Sequence, residues 1–423
     1  MVDYLIIGNS AAAIGAVEGI REVDKDGEIV TISKEPYPLY FRPLITYLLA
    51  GQIDESKIFY PKFYKEHRVE EILGEEVVAV NPGDKKVVLK NGETIQYKKL
   101  LFAVGGLPVF PQIEGNDLAG VFTFTTLEDA KNVNEFIKKY QVGEAVVVGG
   151  GLIGLKTAEA LIARGIKVTI VVRGDRVLRA TFDRRASGIV EQALRERGCS
   201  LITKNTVSRI LGKDRVEKVV LQDGTQLECQ LIIFAMGIRS NVELARRAGI
   251  NVQVGIRVDE YMRTNLPDVY AAGDVIETRD LVTGVDRQIA IWPNARIQGK
   301  VAGHNMAGGT KKYGGSFAMN SVEICGVPTI SVGLTDPKEE GYEILEQYDD
   351  IQRTYKKVVL KNDVIVGAIF VKKIDRAGIF TGLIKNRVNV HLFKDALLRD
   401  DFGLVWLPET FRKHLVVGEG IEV

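Results

Sequence analysis

Cysteine is scarce in this chain: there are three in 423 residues, Cys199, Cys229 and Cys325, with no C-x-x-C pair and no metal-ligand spacing. That excludes a disulfide-stapled secreted fold and offers no metal site. It suits small buried thiols in a reducing compartment. Histidine is equally sparse. His67, His304, His391 and His414 fall in none of the motifs below, so no general base and no catalytic side chain is assigned. An excess of either charge is missing too: 56 basic residues stand against 55 acidic ones, without a long run of either, which argues against a nucleic-acid-binding tail or a polybasic anchor. No apolar segment reaches the length of a membrane span, and the amino terminus enters a strand at Tyr4 to Ile7 without a basic n-region or an apolar h-region. These absences point to a cytoplasmic protein with no nucleic-acid or membrane partner. At this length more than one core is expected.

What the chain does have is glycine in a telling order. Val146 to Val148 read as a buried strand that runs into Gly149-Gly150-Gly151-Leu152-Ile153-Gly154, followed by a helical pattern and a second strand, Lys167 to Val172. This is G-x-G-x-x-G in a strand–turn–helix setting. Gly149 serves the tight turn, Gly151 lets the backbone approach a pyrophosphate, and Gly154 lets helix and strand pack closely. The helix start, at Leu152 and Ile153, offers free N–H groups to phosphates.

The first residues repeat the pattern in degraded form. Asp3 to Ile7 read as a strand, Gly8-Asn9-Ser10-Ala11-Ala12-Ala13 as its turn, Ile14 to Arg21 as a helix and Ile29 to Ser33 as the second strand. Ser10 and Ala13 take the second and third glycine positions and are small enough to meet the same need. Glu35, just past that strand, is placed to accept from ribose hydroxyls. A second internal match supports duplication: Val87 to Gly105 lies without gaps on Val219 to Gly237, each a hairpin followed by a buried strand. Asn91-Gly92 and Asp223-Gly224 are expected to supply the positive-φ residues of two-residue turns.

Taken together, Gly8 to Ala13, Ala103-Val104-Gly105-Gly106, Gly149 to Gly154, Ala235-Met236-Gly237 and Thr264 to Asp274 resemble the pyridine nucleotide-disulfide oxidoreductase superfamily, the flavoproteins with two dinucleotide-binding domains. The resemblance implies an α/β fold with two Rossmann-like domains, FAD on the first and NAD(P)H on the second, plus a C-terminal α+β interface domain. Gly273-Asp274 would then hold the flavin's ribityl hydroxyls. The expected boundaries are 1–112 and 239–314 for a discontinuous FAD domain, 113–238 for the NAD(P) domain and 315–423 for the interface domain. Tyr37 to Gly51 further resembles a segment of NADH:rubredoxin oxidoreductases and of the flavin portion of assimilatory nitrite reductases, in which the arginine matching Arg42, followed by Pro43, lies against the cofactor. The other reading is an Arg-Pro turn that opens a helix. In disulfide reductases this region carries the redox cysteines, and here it carries none.

Several positions are less regular. Most relatives have glutamate at Lys156; a cation there would favour negative charge such as a reduced flavin, unless it is a solvated helix lysine. Trp292 and Asn294, in Ile289 to Gly303, are candidates for the isoalloxazine edge or for packing. Tyr355 to Phe370 read as a hairpin, Ile379 to Asn386 and His391 to Leu398 as amphipathic helices, and the apolar tail Asp401 to Pro408 as an interaction patch or buried packing.

The nucleotide signals conflict. Val172 stands where an NAD site has its acid, and Arg173 to Arg179 resembles the two-arginine clamp of NADPH-dependent glutathione reductases, yet Gly154 is the NAD-like third glycine. The charge acts on the distinguishing phosphate itself, so NADPH is favoured unless both arginines are solvated loop residues. The expected function is that of an FAD-dependent NAD(P)H oxidoreductase. It would pass electrons to a redox protein or an iron-sulfur partner subunit, as a homodimer or within a hetero-oligomeric complex. The alternatives are a flavoprotein with a structural or signalling role, or an NADH oxidase.

Overall fold

The computed structural model describes residues 1–407; Pro408 of the apolar tail and His414 lie outside the described residues. The chain divides into two compact units. One comprises Met1–Val171, Asn205–Asp280 and Gly284–Ser316; the other comprises Val172–Lys204, Leu281–Thr283 and the chain from Phe317 onward.

In the first unit, strand β1 (Val2–Ile7) leads through the glycine turn into helix α1 (Ala11–Val23) and strand β2 (Ile29–Ser33). β1 pairs in parallel with β2 on one side and with the second half of β3 (Thr94–Phe102) on the other, while the short strand Val269–Ala271 adds to the far side of β3. Ile29 to Ser33 are buried without alternation, as expected of a strand covered on both faces. The second copy begins with β4 (Glu144–Val148), helix α2 (Leu152–Ala163) and β5 (Lys167–Val172); β6 (Leu231–Phe234) lies parallel to β4 and carries Val121–Thr123 on its outer side.

The two hairpins match each other but differ from the expected turn. Gly92 N–H bonds the Leu89 carbonyl at 3.0 Å and Leu89 N–H the Glu93 carbonyl at 2.8 Å; Gly224, Leu221 and Thr225 repeat both bonds at the same lengths. Each loop therefore spans three residues, and only the glycine has positive φ, +90° and +89°. The side chains explain the choice, because Asn91 Oδ1 and Asp223 Oδ1 each accept from the N–H two residues on, a local bond that competes with the two-residue form.

Helix α3 (Trp292–Met306) crosses α1 on glycine. A Cβ on Gly299 would sit 2.0 Å from the Ala12 carbonyl oxygen, one on Gly303 2.0 Å from that of Ala16, and one on Gly15 1.9 Å from that of Arg296. The backbones thus touch along two turns, which fixes the start of each helix against the other.

In the second unit, β7 (Thr354–Lys361) and β8 (Val364–Val371) form the expected hairpin, with Asn362 and Asp363 at φ +53° and +56°. This pair is central to a five-stranded antiparallel sheet. Ala377–Lys385 is the expected helix, but His391–Ala396 is a 3-10 turn, not an amphipathic helix. Phe393 is buried at a non-helical φ of −137° while Leu392 is exposed, so the segment is shaped by one anchored ring rather than by a continuous apolar face. Of the tail, Phe402 and Leu407 are buried and Val405 is exposed.

Candidate functional site

The first glycine turn is shaped by close approach. Gly8 has φ +124°, and a Cβ there would lie 2.1 Å from the Ala103 carbonyl oxygen; Gly149 has φ +131° and meets the Ala235 carbonyl oxygen at the same 2.1 Å. Both turns therefore sit against the residue that follows the strand paired in parallel with their own, β3 for the first and β6 for the second. Ser10 and Gly151 cap α1 and α2 in extended conformation, and neither offers a side-chain capping bond. The first intrahelical bonds are Ile14 N–H to Ser10 O and Leu155 N–H to Gly151 O, both 3.0 Å, so the N–H groups of Ala11 to Ala13 and of Leu152 to Gly154 have no intrahelical acceptor. Gly154 is pressed to the Gly149 carbonyl, whereas no heavy atom lies within 4 Å of a Cβ built on Gly151. That open side is where a pyrophosphate could approach.

The motif ends Val104-Gly105 and Met236-Gly237 are joined. Gly106–Pro108 pairs antiparallel with Ile238–Ser240, Gly105 O accepts from Asn241 N–H at 3.0 Å, and Gly237 O accepts from Val109 N–H at 2.9 Å.

Asp274 is brought to the first loop by Gly273, whose φ is +86°, whose N–H donates to Gln298 Oε1 at 3.0 Å, and whose added Cβ would touch Ala12 Cβ at 3.2 Å. Ser240 Oγ and Gln288 Nε2 both donate to the Asp274 carbonyl, at 2.9 and 2.5 Å. No described residue donates to its carboxylate. Burial pushes that carboxyl above its ordinary pKa, opposed by the charge of Arg42. Close by, the Asn294 Nδ2 group, in the first turn of α3, is buried without a partner among the described residues. Trp292 lies 6.1 Å from the Phe41 ring.

Arg42 and Glu35 meet directly. Arg42 Nη2 lies 2.6 Å from Glu35 Oε1, Nη1 donates to the Thr125 carbonyl at 2.6 Å, and the guanidinium stands 5.3 Å from the Tyr40 ring. Tyr40 OH donates to Glu35 Oε2 at 2.6 Å and accepts from Leu127 N–H at 3.1 Å. Both oxygens of Glu35 are thus engaged, and a ribose there would share them. Pro43 opens the 3-10 turn Arg42–Leu44, as expected of an Arg-Pro start. Lys156 pairs with Glu159 one turn on and lies 5.3 Å from the Tyr47 ring, so its charge is partly matched within the protein.

Sequence reasoning missed Tyr40, Gln298 and Tyr64, the last donating to Asn9 Oδ1 at 2.6 Å in the glycine turn. Gln298 stands in a segment already singled out, but nothing in its spacing marks it as the support of Gly273. In the second unit, Arg173 and Arg179 are exposed and have no hydrogen bond or ion pair among the described residues. No group of three or more metal-ligating side chains exists among those residues. Burial pushes the Cys229 thiol up to about 12.

Two parallel sheets, each with a glycine turn opening a helix, and a half-buried aspartate at the first turn define a two-dinucleotide flavoprotein reductase. Residues 2–299 match the family model described as pyridine nucleotide-disulphide oxidoreductase, and residues 319–388 the rubredoxin NAD+ reductase C-terminal domain. The chain is 36% identical over 348 residues to an NAD(P)H sulfur oxidoreductase (CoA-dependent) of Pyrococcus abyssi, covering 80% of this chain and 78% of that one. It is 32% identical over 392 residues to the epsilon subunit of NADH-dependent phenylglyoxylate dehydrogenase of Aromatoleum evansii, covering 92% of each. An engineered water-forming NADPH oxidase bound to NADPH shares its fold, with a TM-score of 0.85 at 23% identity over 95% of each chain. The chain belongs to the pyridine nucleotide-disulphide oxidoreductase family and is an FAD-dependent NAD(P)H oxidoreductase. No helix among the described residues is long and apolar enough to cross a membrane.

Proposed function

We propose that the protein oxidises NADPH and passes the electrons through FAD to a protein acceptor, a small redox protein or an iron-sulfur partner subunit, without a redox-active thiol. The observation that carries this reading is the Arg42 segment: where disulfide reductases keep their cysteines, this chain has an arginine locked to Glu35 and Tyr40. Cys229 is held protonated by burial, which makes it a poor nucleophile or electron relay at neutral pH.

The residues fit FAD. The N–H groups that begin α1 and the small residues Gly8, Ser10, Ala11 and Ala12 accept a pyrophosphate, Ala103 to Gly105 line the first turn, and Arg42 adds a fixed positive charge. Asp274 has an unfilled acceptor for polyol hydroxyls, and Asn294 an unfilled donor. Bound FAD supplies a hydride acceptor, so the protein contributes orientation and electrostatics and needs no side-chain base. Gly149, Gly151, Leu152, Ile153 and Gly154, with Ala235 to Gly237, would hold the second dinucleotide in the same manner.

NADPH is favoured by Arg173 and Arg179, two cations in the loop after β5 that are unpaired among the described residues, with Val172 in the acid's place. The engineered NADPH oxidase supports this by its substitutions: an aspartate became alanine, the next residue arginine, and a proline six residues beyond that arginine became arginine too. Val172, Arg173 and Arg179 stand at that same spacing, although Gly154 remains glycine where the oxidase gained alanine. The test is the ratio of kcat/KM for NADPH and NADH. Wild type should favour NADPH, and Arg173→Ala with Arg179→Ala should erase most of the preference; a tenfold preference for NADH, or an unchanged ratio in the variant, contradicts the assignment.

The acceptor reading is supported by the Aromatoleum relative, a subunit of a larger dehydrogenase that matches this chain over nearly its full length. Anaerobic turnover with ferredoxin or rubredoxin should outpace NADPH consumption with oxygen alone. Faster turnover with oxygen would favour an oxidase.

A further inference from the structure

The loop after β5 carries the two exposed arginines, and its shape is fixed from within the second unit. The Gly174 carbonyl accepts from Lys204 N–H at 2.7 Å, Val177 N–H donates to Glu191 Oε1 at 3.2 Å, and the Val177 carbonyl accepts from Ser187 Oγ at 2.7 Å. Leu178 is left-handed, at φ +52°, and the N–H groups of Thr181 and Phe182 both close on its carbonyl at 2.8 Å. A residue with a side chain takes that conformation at a cost, so surrounding bonds must hold it.

Two of those bonds come from far along the chain. Arg176, midway between Arg173 and Arg179, is only 8% exposed; its Nη2 lies 2.8 Å from Asp336 Oδ2 and 3.4 Å from the Phe182 carbonyl, and its Nη1 3.3 Å from Asp175 Oδ1. Thr335 Oγ1 donates to the Thr181 carbonyl at 2.9 Å. Asp336 also pairs with the exposed Lys338, and Asp175 with Arg184. One arginine of three is therefore buried and anchored, while those three residues before and after it are left free to bind.

We propose that Thr335 and Asp336 are positioning residues for recognition of the nucleotide's 2′-phosphate: by anchoring the Thr181 carbonyl and Arg176 they hold the loop in the form that presents Arg173 and Arg179 together. This rests on the reading of those two arginines as phosphate ligands. Two guanidinium groups converge on one dianion only if the backbone between them is set beforehand; an unanchored loop would lose its freedom on binding and weaken affinity. Loss of the Asp336 charge leaves Arg176 buried without its main partner, which releases the centre of the loop. NADH lacks the phosphate and should be indifferent.

The test uses the full-length, FAD-loaded protein with a dye acceptor. Asp336→Asn should raise the KM for NADPH about five- to tenfold and Thr335→Val about threefold, with kcat and the KM for NADH within about twofold of wild type. On a background of Arg173→Ala with Arg179→Ala, Asp336→Asn should add nothing to the NADPH KM. An unchanged NADPH KM in the folded variants, or a parallel rise for NADH, overturns the proposal; if Asp336→Asn does not fold, Thr335→Val decides alone. The two readings separate cleanly. If the double arginine variant leaves the NADPH KM unaltered, the phosphate clamp itself is wrong; if it raises KM and neither anchor variant does, only the positioning role has failed.

Discussion

Asp274, the proposed ribityl ligand, illustrates how such a carboxylate is a burden to the protein without its ligand. Its carboxylate is half-buried and has no donor among the described residues, and burial raises its pKa. A carboxyl raised in the folded state favours folding below its unfolded pKa and loses that contribution as pH climbs through the folded value. Asp274→Asn should therefore raise the Tm of the cofactor-free protein at pH 8, with the gain shrinking toward pH 4; a lower Tm at pH 8 would show that the charge is already compensated. With cofactor the sign reverses. Asp274→Ala should cost about 1.5–3 kcal/mol of FAD affinity, tenfold or more, because ribityl hydroxyls would lose a charged acceptor; normal flavin content and affinity in the purified variant contradicts the assignment. At this scale the sequence was legible where a residue's type was fixed by its neighbours in a motif, as with Gly8, Gly149 and Gly273, all at positive φ in the structure. It was not legible where the partner came from elsewhere in the chain. Nothing in the spacing of Glu35 and Arg42 says that they pair, and nothing local to Arg176 says that it meets Asp336.

Among elements, the contact of α1 with α3 positions most of the proposed FAD site. α1 begins at the first glycine turn and α3 begins at Trp292 and Asn294, so their crossing sets the distance between two ends of the proposed FAD site. Gly303→Ala lies about three turns from the start of α3, yet its Cβ would sit 2.0 Å from the Ala16 carbonyl oxygen. Forcing the helices apart should destabilise the fold by about 1–3 kcal/mol and weaken FAD binding with it. Denaturant unfolding and flavin titration of the variant check both, and unchanged values would mean that the contact is soft. The strands and helices of the two glycine units were readable because each short apolar run is bounded by glycine and a change of period. The hairpin loops were misjudged by one residue, because the side-chain bonds of Asn91 and Asp223 settle the turn type and a propensity rule does not weigh them. The His391 segment was misjudged because a single buried ring, Phe393, outweighed its helical spacing.

For the whole molecule, the proposed route takes electrons in from NADPH and out without a thiol relay. Cys199 and Cys229 are buried and Cys325 partly so, which suits packing roles. Replacing all three by Ala or Ser should leave NADPH-to-dye reduction within about threefold in a folded, flavin-loaded protein, a change near 0.7 kcal/mol in barrier; loss of activity would reveal a redox cysteine. The duplication of the dinucleotide-binding fold was legible from two gapless hairpin repeats, whereas the acceptor leaves no comparable mark, since a docking face needs only complementarity to its partner. The most direct measurement is an anaerobic titration of the FAD-loaded protein with NADPH, followed by flavin absorbance. One equivalent of NADPH per FAD should bleach the flavin completely and rapidly. A requirement for two equivalents would betray a disulfide that stores a second electron pair, and a flavin that NADPH leaves oxidised would contradict the account outright.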